Sequence, residues 1–408
     1  MPARRAQVPR SVLPDPAAPV AAAAVLRGGG WWGGRSARVL GLVIALLALA
    51  LGGITLLGVI SSQTGLPGLL VGTGLALVPV PFVVGAFMWL DRFEPEPAGV
   101  LWFCFVWGAV VAALTSAVVN TAAGVAAVSA GATQTDATAV SAVFVAPFVE
   151  ELTKGLGVLA VLLAKRREFD GVVDGIVLSG VTAVGFAFTE NILYFGRAFI
   201  EGAMATGGTT GGIFVAGAVF VMRGVVSPFA HPLFTVMIGI GVGVAARTAS
   251  GWVRVLAPLA GYILAVALHA TWNFSSLGGV EGFGLAYLLI MVPVFATSIV
   301  VAVWHRAREG RVVARQLPPY VDAGWLGPAD VPMLADLRAR RRARDWAASR
   351  HGAYGLAAMR AFQQHATELA FLRERAEHGT VHGDFTTREA DLLRRVHRER
   401  VGFAPPLR

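Results

Sequence analysis

The chain has 408 residues, 55% of them hydrophobic and only 14% charged, and its mean hydropathy is +0.65. That composition excludes an ordinary soluble enzyme and points to a polytopic membrane protein. The net charge of +9 does not argue for nucleic acid, because the basic residues sit in the N-terminal arm, in short loops and near the C-terminus, as topology signals do.

Residues 1–37 are rich in Arg, Pro and Gly without apolar periodicity, and read as a disordered cytoplasmic arm rather than a cleaved signal peptide. Apolar spans of about twenty residues or more, the length a bilayer requires, follow at 39–60, 66–90, 98–129, 139–164, 172–198, 213–246, 253–275 and 282–304. An all-α bundle of about eight membrane spans is expected. The single cysteine, Cys104, falls in an apolar run and excludes both an intramolecular disulfide and a cysteine-based metal centre.

Arginines and lysines fall in the arm, at 91–97, 165–171 and 247–254, and after Trp304, so both termini are expected in the cytoplasm. The sixth span is too long for one crossing and is interrupted at Arg223-Gly224 and Ser227-Pro228. Pro228 and Pro232 remove backbone donors around His231, a break tolerated at membrane depth where it lines a cavity, and Arg223 is expected at its outer mouth.

From His305 the composition turns soluble, and 333–350, 353–377 and 386–400 are helix-favouring and amphipathic. The expected division is an arm at 1–37, a transmembrane domain at 38–304 and a small cytoplasmic helical domain at 305–408. The basic cluster from Arg338 to Arg344 reads as a solvated face or an anionic-lipid contact, not a nucleic-acid site.

The fourth span holds Glu150, Glu151 and Lys154 in an otherwise apolar run. One charged side chain near a bilayer centre costs roughly 2.5–3.5 kcal/mol on insertion scales, so such residues are functional candidates. On a helix Lys154 lies at i+4 from Glu150 and i+3 from Glu151; it can neutralise one acid and leave the other as a base, and helix geometry alone favours Glu150 as its partner. The plainer reading is an ion pair locking two helices together.

Other polar residues share that depth. Counted from the outer ends of their spans, Glu150 lies about eleven positions in, Glu190 about nine, and His231 and His269 about six each, which places all four within roughly 8 Å of one another along the membrane normal. Of eight histidines, only His231 and His269 lie inside the membrane domain. His269 and Asn273, at i and i+4, share a helix face, as do Glu190 and Tyr194.

This set resembles the PrsW family of intramembrane proteases, within the superfamily of CAAX prenyl endopeptidases and bacteriocin-processing membrane enzymes. The matching residues are EExxK at Glu150–Lys154, GFAFTEN with Phe186, Glu190 and Asn191, SPFAHPLFT with His231, and HATWN from His269 to Asn273, together with DRFEPEP at 91–97 and the Asp-Gly at 174–175, so that the likeness covers about residues 75–275. Where the superfamily's prenyl proteases have FxxxH, this chain has Phe186 and Glu190, as PrsW-like proteins do.

The resemblance implies an intramembrane endopeptidase with Glu150, Glu151, His231 and His269 as catalytic residues. Lys154, Glu190, Asn191 and Asn273 support them. It also implies site-1-type cleavage of a membrane-anchored signalling protein such as an anti-sigma factor.

Peptide hydrolysis requires a polarised water, a stabilised oxyanion and a donor to the leaving amine. Two arrangements meet these needs. In one, Glu150 is the base, Lys154 holds Glu151, and His231, His269 and Asn273 face the oxyanion. In the other, His231 and His269 with Glu190 or Glu150 hold a divalent metal such as zinc. A transporter or channel using the same buried ions competes, but it calls for paired broken helices, and the sequence has one clear break.

Overall fold

A computed structural model describes residues 33–165, 169, 171–381 and 384–403. Most of the expected N-terminal arm, residues 1–32, lies outside these residues, as do Arg166 and Arg167 of the basic loop at 165–171. Every regular element among the described residues is helical.

Among the described residues, six stretches are long and apolar enough to cross a membrane: Val43–Leu90, Ala98–Ser129, Val172–Thr206, Thr209–Arg247, Gly251–Leu277 and Gly279–Asp322. The first contains two of the expected spans. Helix α1 (Gly33–Leu77) divides at Gly65, whose φ of 61° is left-handed, and α2 (Pro79–Leu90) continues the second. The helix bearing Glu150, Glu151 and Lys154 is too charged to stand out by apolarity; it runs through α5 (Gln134–Val140), a wide turn and α6 (Ala146–Ala164).

Among the described residues, four π-helical turns interrupt the membrane helices. They are Trp107–Ala112 between α3 (Ala98–Val106) and α4 (Ala113–Ser129), Ser141–Val145 before α6, Val221–Val226 after α8 (Thr209–Phe220), and Tyr287–Met291 between α11 (Gly279–Ala286) and α12 (Val292–Gln316). A wide turn displaces carbonyls from the regular ladder. Side chains from other helices donate to three of these: Thr189 Oγ1 to Ala109 O at 2.7 Å, Asn273 Nδ2 to Ala142 O at 2.8 Å, and Tyr287 OH to Val226 O at 2.8 Å.

Helix α7 (Val172–Thr206) is the axis of the bundle, with 89% of its most apolar window buried. It packs on α1, α2, α3, α8 and α9 (Ala230–Arg247), and α9 packs in turn on α10 (Gly251–Leu277). The α7–α9 seam is backbone against backbone: a Cβ on Gly239 would collide with the carbonyl of Gly175, and one on Gly175 with the carbonyl of Gly239.

Helix α12 leaves the bundle and enters the tail, where Val313 and Leu317 join a separate core with Tyr320, Leu334, Phe362 and Leu393. Short helices α13 (Pro318–Asp322) and α14 (Asp330–Ala335) precede α15 (Leu337–Glu377) and α16 (Phe385–Val401). The helix expected at 333–350 is split at Asp336, whose carboxylate caps α15 by accepting from Ala339 N at 2.7 Å. Gly352, with φ 61°, folds α15 back on itself, so the Arg340 carbonyl accepts from Gln363 Nε2 at 3.0 Å.

The tail is fixed to one end of the bundle. Arg340 donates to the Phe93 carbonyl at 3.0 Å, and Glu374 lies 3.6 Å from Arg247 at the end of α9 and 3.6 Å from Arg308.

Candidate active site

Helix α6 opens with Pro147 in its first turn and presents Glu150, Glu151 and Lys154 to the interior, where they are 5%, 0% and 0% exposed. Lys154 Nζ lies 2.8 Å from Glu151 Oε1 and 3.8 Å from Glu150 Oε2. The preference for Glu150 expected from helix geometry is therefore reversed, because Glu151 is the acid that other helices also hold: His269 Nδ1 is 3.0 Å from its Oε1, and the Thr235 hydroxyl donates to its Oε2 at 2.8 Å. Glu150 is much less engaged. Asn120 Nδ2 reaches its Oε1 at a long 3.4 Å, and its buried Oε2 has no hydrogen-bond partner.

Lys154 also stands 3.2 Å from His231 Nδ1 and 3.9 Å from the centre of the Phe186 ring. A desolvated ammonium gains from the negative face of an aromatic ring, which gives Phe186 of the GFAFTEN segment a physical role.

His231 enters at the first turn of α9, immediately after the helical break at Ser227–Phe229. Its Nε2 lies 2.7 Å from Glu190 Oε2 on α7. Arg223, expected at an outer mouth, instead turns inward: it forms an ion pair with Glu190, donates from Nε to Asn191 Oδ1 at 2.8 Å, and covers the Tyr194 ring at 3.9 Å. Glu190 is thus occupied from both sides.

His269 on α10 stacks on Phe234 at 5.0 Å between ring centres, and its Nε2 is 3.8 Å from Glu150 Oε2. Asn273, one turn on, holds the Ala142 carbonyl of the wide turn before α6. It steadies the backbone leading into α6 and does not join the His231–His269 cluster, as the sequence reading had it. Beside these residues the break opens on a cavity of about 70 Å³ lined by Ser227, Phe229, Leu233, Phe234, Trp272 and Tyr287.

Sequence reasoning did not find Thr235 or Asn120. Thr235 lies one turn after His231, a spacing that could have marked it; nothing in sequence ties Asn120, 30 residues before Glu150, to the site.

A profile described as PrsW family intramembrane metalloprotease matches residues 96–298, a segment that contains every residue of this cluster. This membrane domain belongs to the PrsW family. The PrsW-family chain is accordingly an intramembrane peptidase. The protease PrsW of Oceanobacillus iheyensis is 28% identical to it over 180 residues, which is 44% of this chain and 72% of that relative. No solved structure matches.

The PrsW-family cluster fits a metal ion on three counts. One donor atom from each of Glu150, His231 and His269 lies within 4.8 Å of the others. Glu150 Oε2 is buried without a hydrogen bond. One nitrogen of each imidazole faces a carboxylate, Glu151 for His269 and Glu190 for His231, an arrangement that fixes ring orientation in metal sites; the other nitrogen of His231, Nδ1, faces the Lys154 ammonium at 3.2 Å, which an ion there would displace. Of the two acids expected as alternatives for the third ligand, Glu150 lies in this set and Glu190 lies outside it, 2.7 Å from His231 Nε2.

Proposed function

We propose that Glu150, His231 and His269 are the active centre of this intramembrane peptidase and hold a single divalent ion, zinc by the chemistry of one carboxylate and two imidazoles. The observation that carries this reading is the buried three-residue cluster, drawn from α6, α9 and α10, with one acid oxygen unused. When bound, such an ion polarises the scissile carbonyl and acidifies the attacking water.

The chain's own residues divide the remaining work. With Oε2 given to the ion, the other oxygen of Glu150, Oε1, held only by the long 3.4 Å hydrogen bond from Asn120, would take the proton from water and return it to the leaving amine. Glu151 moves no proton, because Lys154, Thr235 and His269 already engage its oxygens. Glu190 keeps the Nε2 side of His231 engaged, so that Nδ1 faces Lys154 and the cluster. Lys154 offsets the negative charge of the two glutamates.

The substrate is a membrane-anchored protein, of the kind exemplified by a signalling anti-sigma factor, cut near the end of its transmembrane helix remote from the tail. His231 stands at the start of α9 and Arg247, which meets the tail, at its end, about 24 Å apart at 1.5 Å per residue. The arginine distribution supports cytoplasmic termini, and in that orientation the cut lies at the extracytoplasmic end.

The test is proteolysis of a single-pass substrate in liposomes by the purified chain, with and without chelator, and mass spectrometry of the products. Chelator-sensitive cleavage at the remote end is expected. Activity indifferent to chelator, or a cut at the tail end, would overturn the metal or the orientation respectively.

A further inference from the structure

The hairpin in α15 has an electrostatic consequence at the membrane surface. Its two limbs run antiparallel: Arg340 Nη1 donates to Thr367 Oγ1 at 2.9 Å and Gln363 Nε2 to Arg340 O at 3.0 Å, while Gly355 packs on the Ala347 carbonyl. In that register Arg344, one turn beyond Arg340, lies across from Arg360. The same Arg340 reaches the Phe93 carbonyl at 3.0 Å, which sets this turn of α15 against the 91–97 loop and Arg92. On the neighbouring strand of chain, the Arg306 guanidinium covers the Trp89 ring at 4.0 Å.

Four guanidiniums from three parts of the fold therefore converge where the tail meets the bundle. Among the described residues none of Arg92, Arg306, Arg344 and Arg360 has an ion-pair partner; the acids that act on the patch, Asp345 on Arg344 and Glu309 on Arg306, leave it strongly positive. Burial and the fields of Arg360, Arg92 and Arg341 pull the Arg344 guanidinium below its ordinary range.

Two indoles fix the level of the patch. Trp89, at the end of α2, is 50% exposed, and Trp304, where the apolar part of α12 gives way to basic residues, is 54% exposed. Exposed tryptophans at the ends of apolar helices mark the headgroup layer. A merely solvated basic face needs neither convergence nor this depth.

We propose that Arg92, Arg306, Arg344 and Arg360 bind the phosphate of an anionic phospholipid headgroup at the junction of bundle and tail. Guanidinium forks match phosphate oxygens, and a phosphodiester relieves the repulsion among the arginines. The lipid then ties the α15 hairpin to the membrane by a bond additional to the Arg340 and Glu374 contacts.

Native mass spectrometry of the full detergent-solubilised chain, titrated with phosphatidylglycerol or phosphatidylcholine, tests this. The wild type should retain phosphatidylglycerol preferentially. Arg344→Gln with Arg360→Gln should weaken retention at least tenfold without changing the melting temperature. Arg394→Gln with Arg395→Gln, which removes charges already paired with Asp391, should leave retention intact. If the first pair misfolds, Arg306→Gln alone should still weaken retention. Equal retention in all folded variants, equal loss in both pairs, or displacement of the lipid by inorganic phosphate would overturn the proposal.

Discussion

Lys154 is fully buried, and its ammonium is satisfied by Glu151, His231 and the Phe186 ring in place of water. Breaking a buried pair by removing one partner leaves an uncompensated charge and costs about 3–5 kcal/mol. Glu151→Gln should therefore lower thermal stability strongly, and a melting curve in detergent measures it. Glu150→Gln should cost far less stability, since Glu150 has one long hydrogen bond and two 3.8 Å charge contacts to lose and Lys154 keeps Glu151, yet abolish turnover. His269→Ala should abolish turnover too. A Glu150→Gln protein that cleaves substrate at the wild-type rate would remove Glu150 from the chemistry. The contrast between adjacent glutamates is the sharpest expectation of the site, because their sequence environments are nearly alike and their partners are not.

At the level of elements, the α7–α9 seam leaves no room for a side chain at Gly239. Overpacking a close contact typically costs about 1–3 kcal/mol, and here the obstacle is backbone, which cannot rotate aside. Gly239→Leu should reduce the yield of folded protein and shift His231, three turns or fewer along the same helix; retained melting temperature and activity would count against a rigid seam. The charged helix and the break before His231 were legible in the sequence because each violates the apolarity of a span. The choice of Glu151 by Lys154 was not, since Thr235 and His269 on other helices decide it. Asn273 was misplaced for a related reason: the carbonyl it holds is released only by a wide turn, which no residue pattern announces. In the tail, the interruption between 350 and 353 was visible, whereas the fold-back at Gly352 depends on a left-handed φ and on the Arg340–Gln363 contact.

For the whole molecule, the junction of bundle and tail should respond to pH. Burial pushes the Asp91 carboxyl up to about 7, the nearby Asp174 adds to this, and the hydrogen bond from Glu96 N at 2.7 Å opposes it. A raised carboxyl favours the protonated form in the folded chain, so its contribution is full below the unfolded value near 4 and is lost as pH rises through about 7. The melting temperature should fall between about pH 4 and about pH 7, and Asp91→Asn should flatten that dependence; an identical slope in the variant would assign it to other groups. Removing residues 320–408 should destabilise the chain more than it alters chemistry, because Val313 and Leu317 would lose their core while Glu150, His231 and His269 lie elsewhere. A well-folded truncation with no turnover would argue the reverse.

The order in which the chain delivers the cluster has one more consequence. Glu150 arrives on α6, before the central helix, whereas His231 and His269 arrive after it. Two polypeptides, one ending after α6 and the other beginning with α7, would each carry an incomplete centre, and hydrolysis by the mixture would become a direct readout of two membrane fragments finding each other.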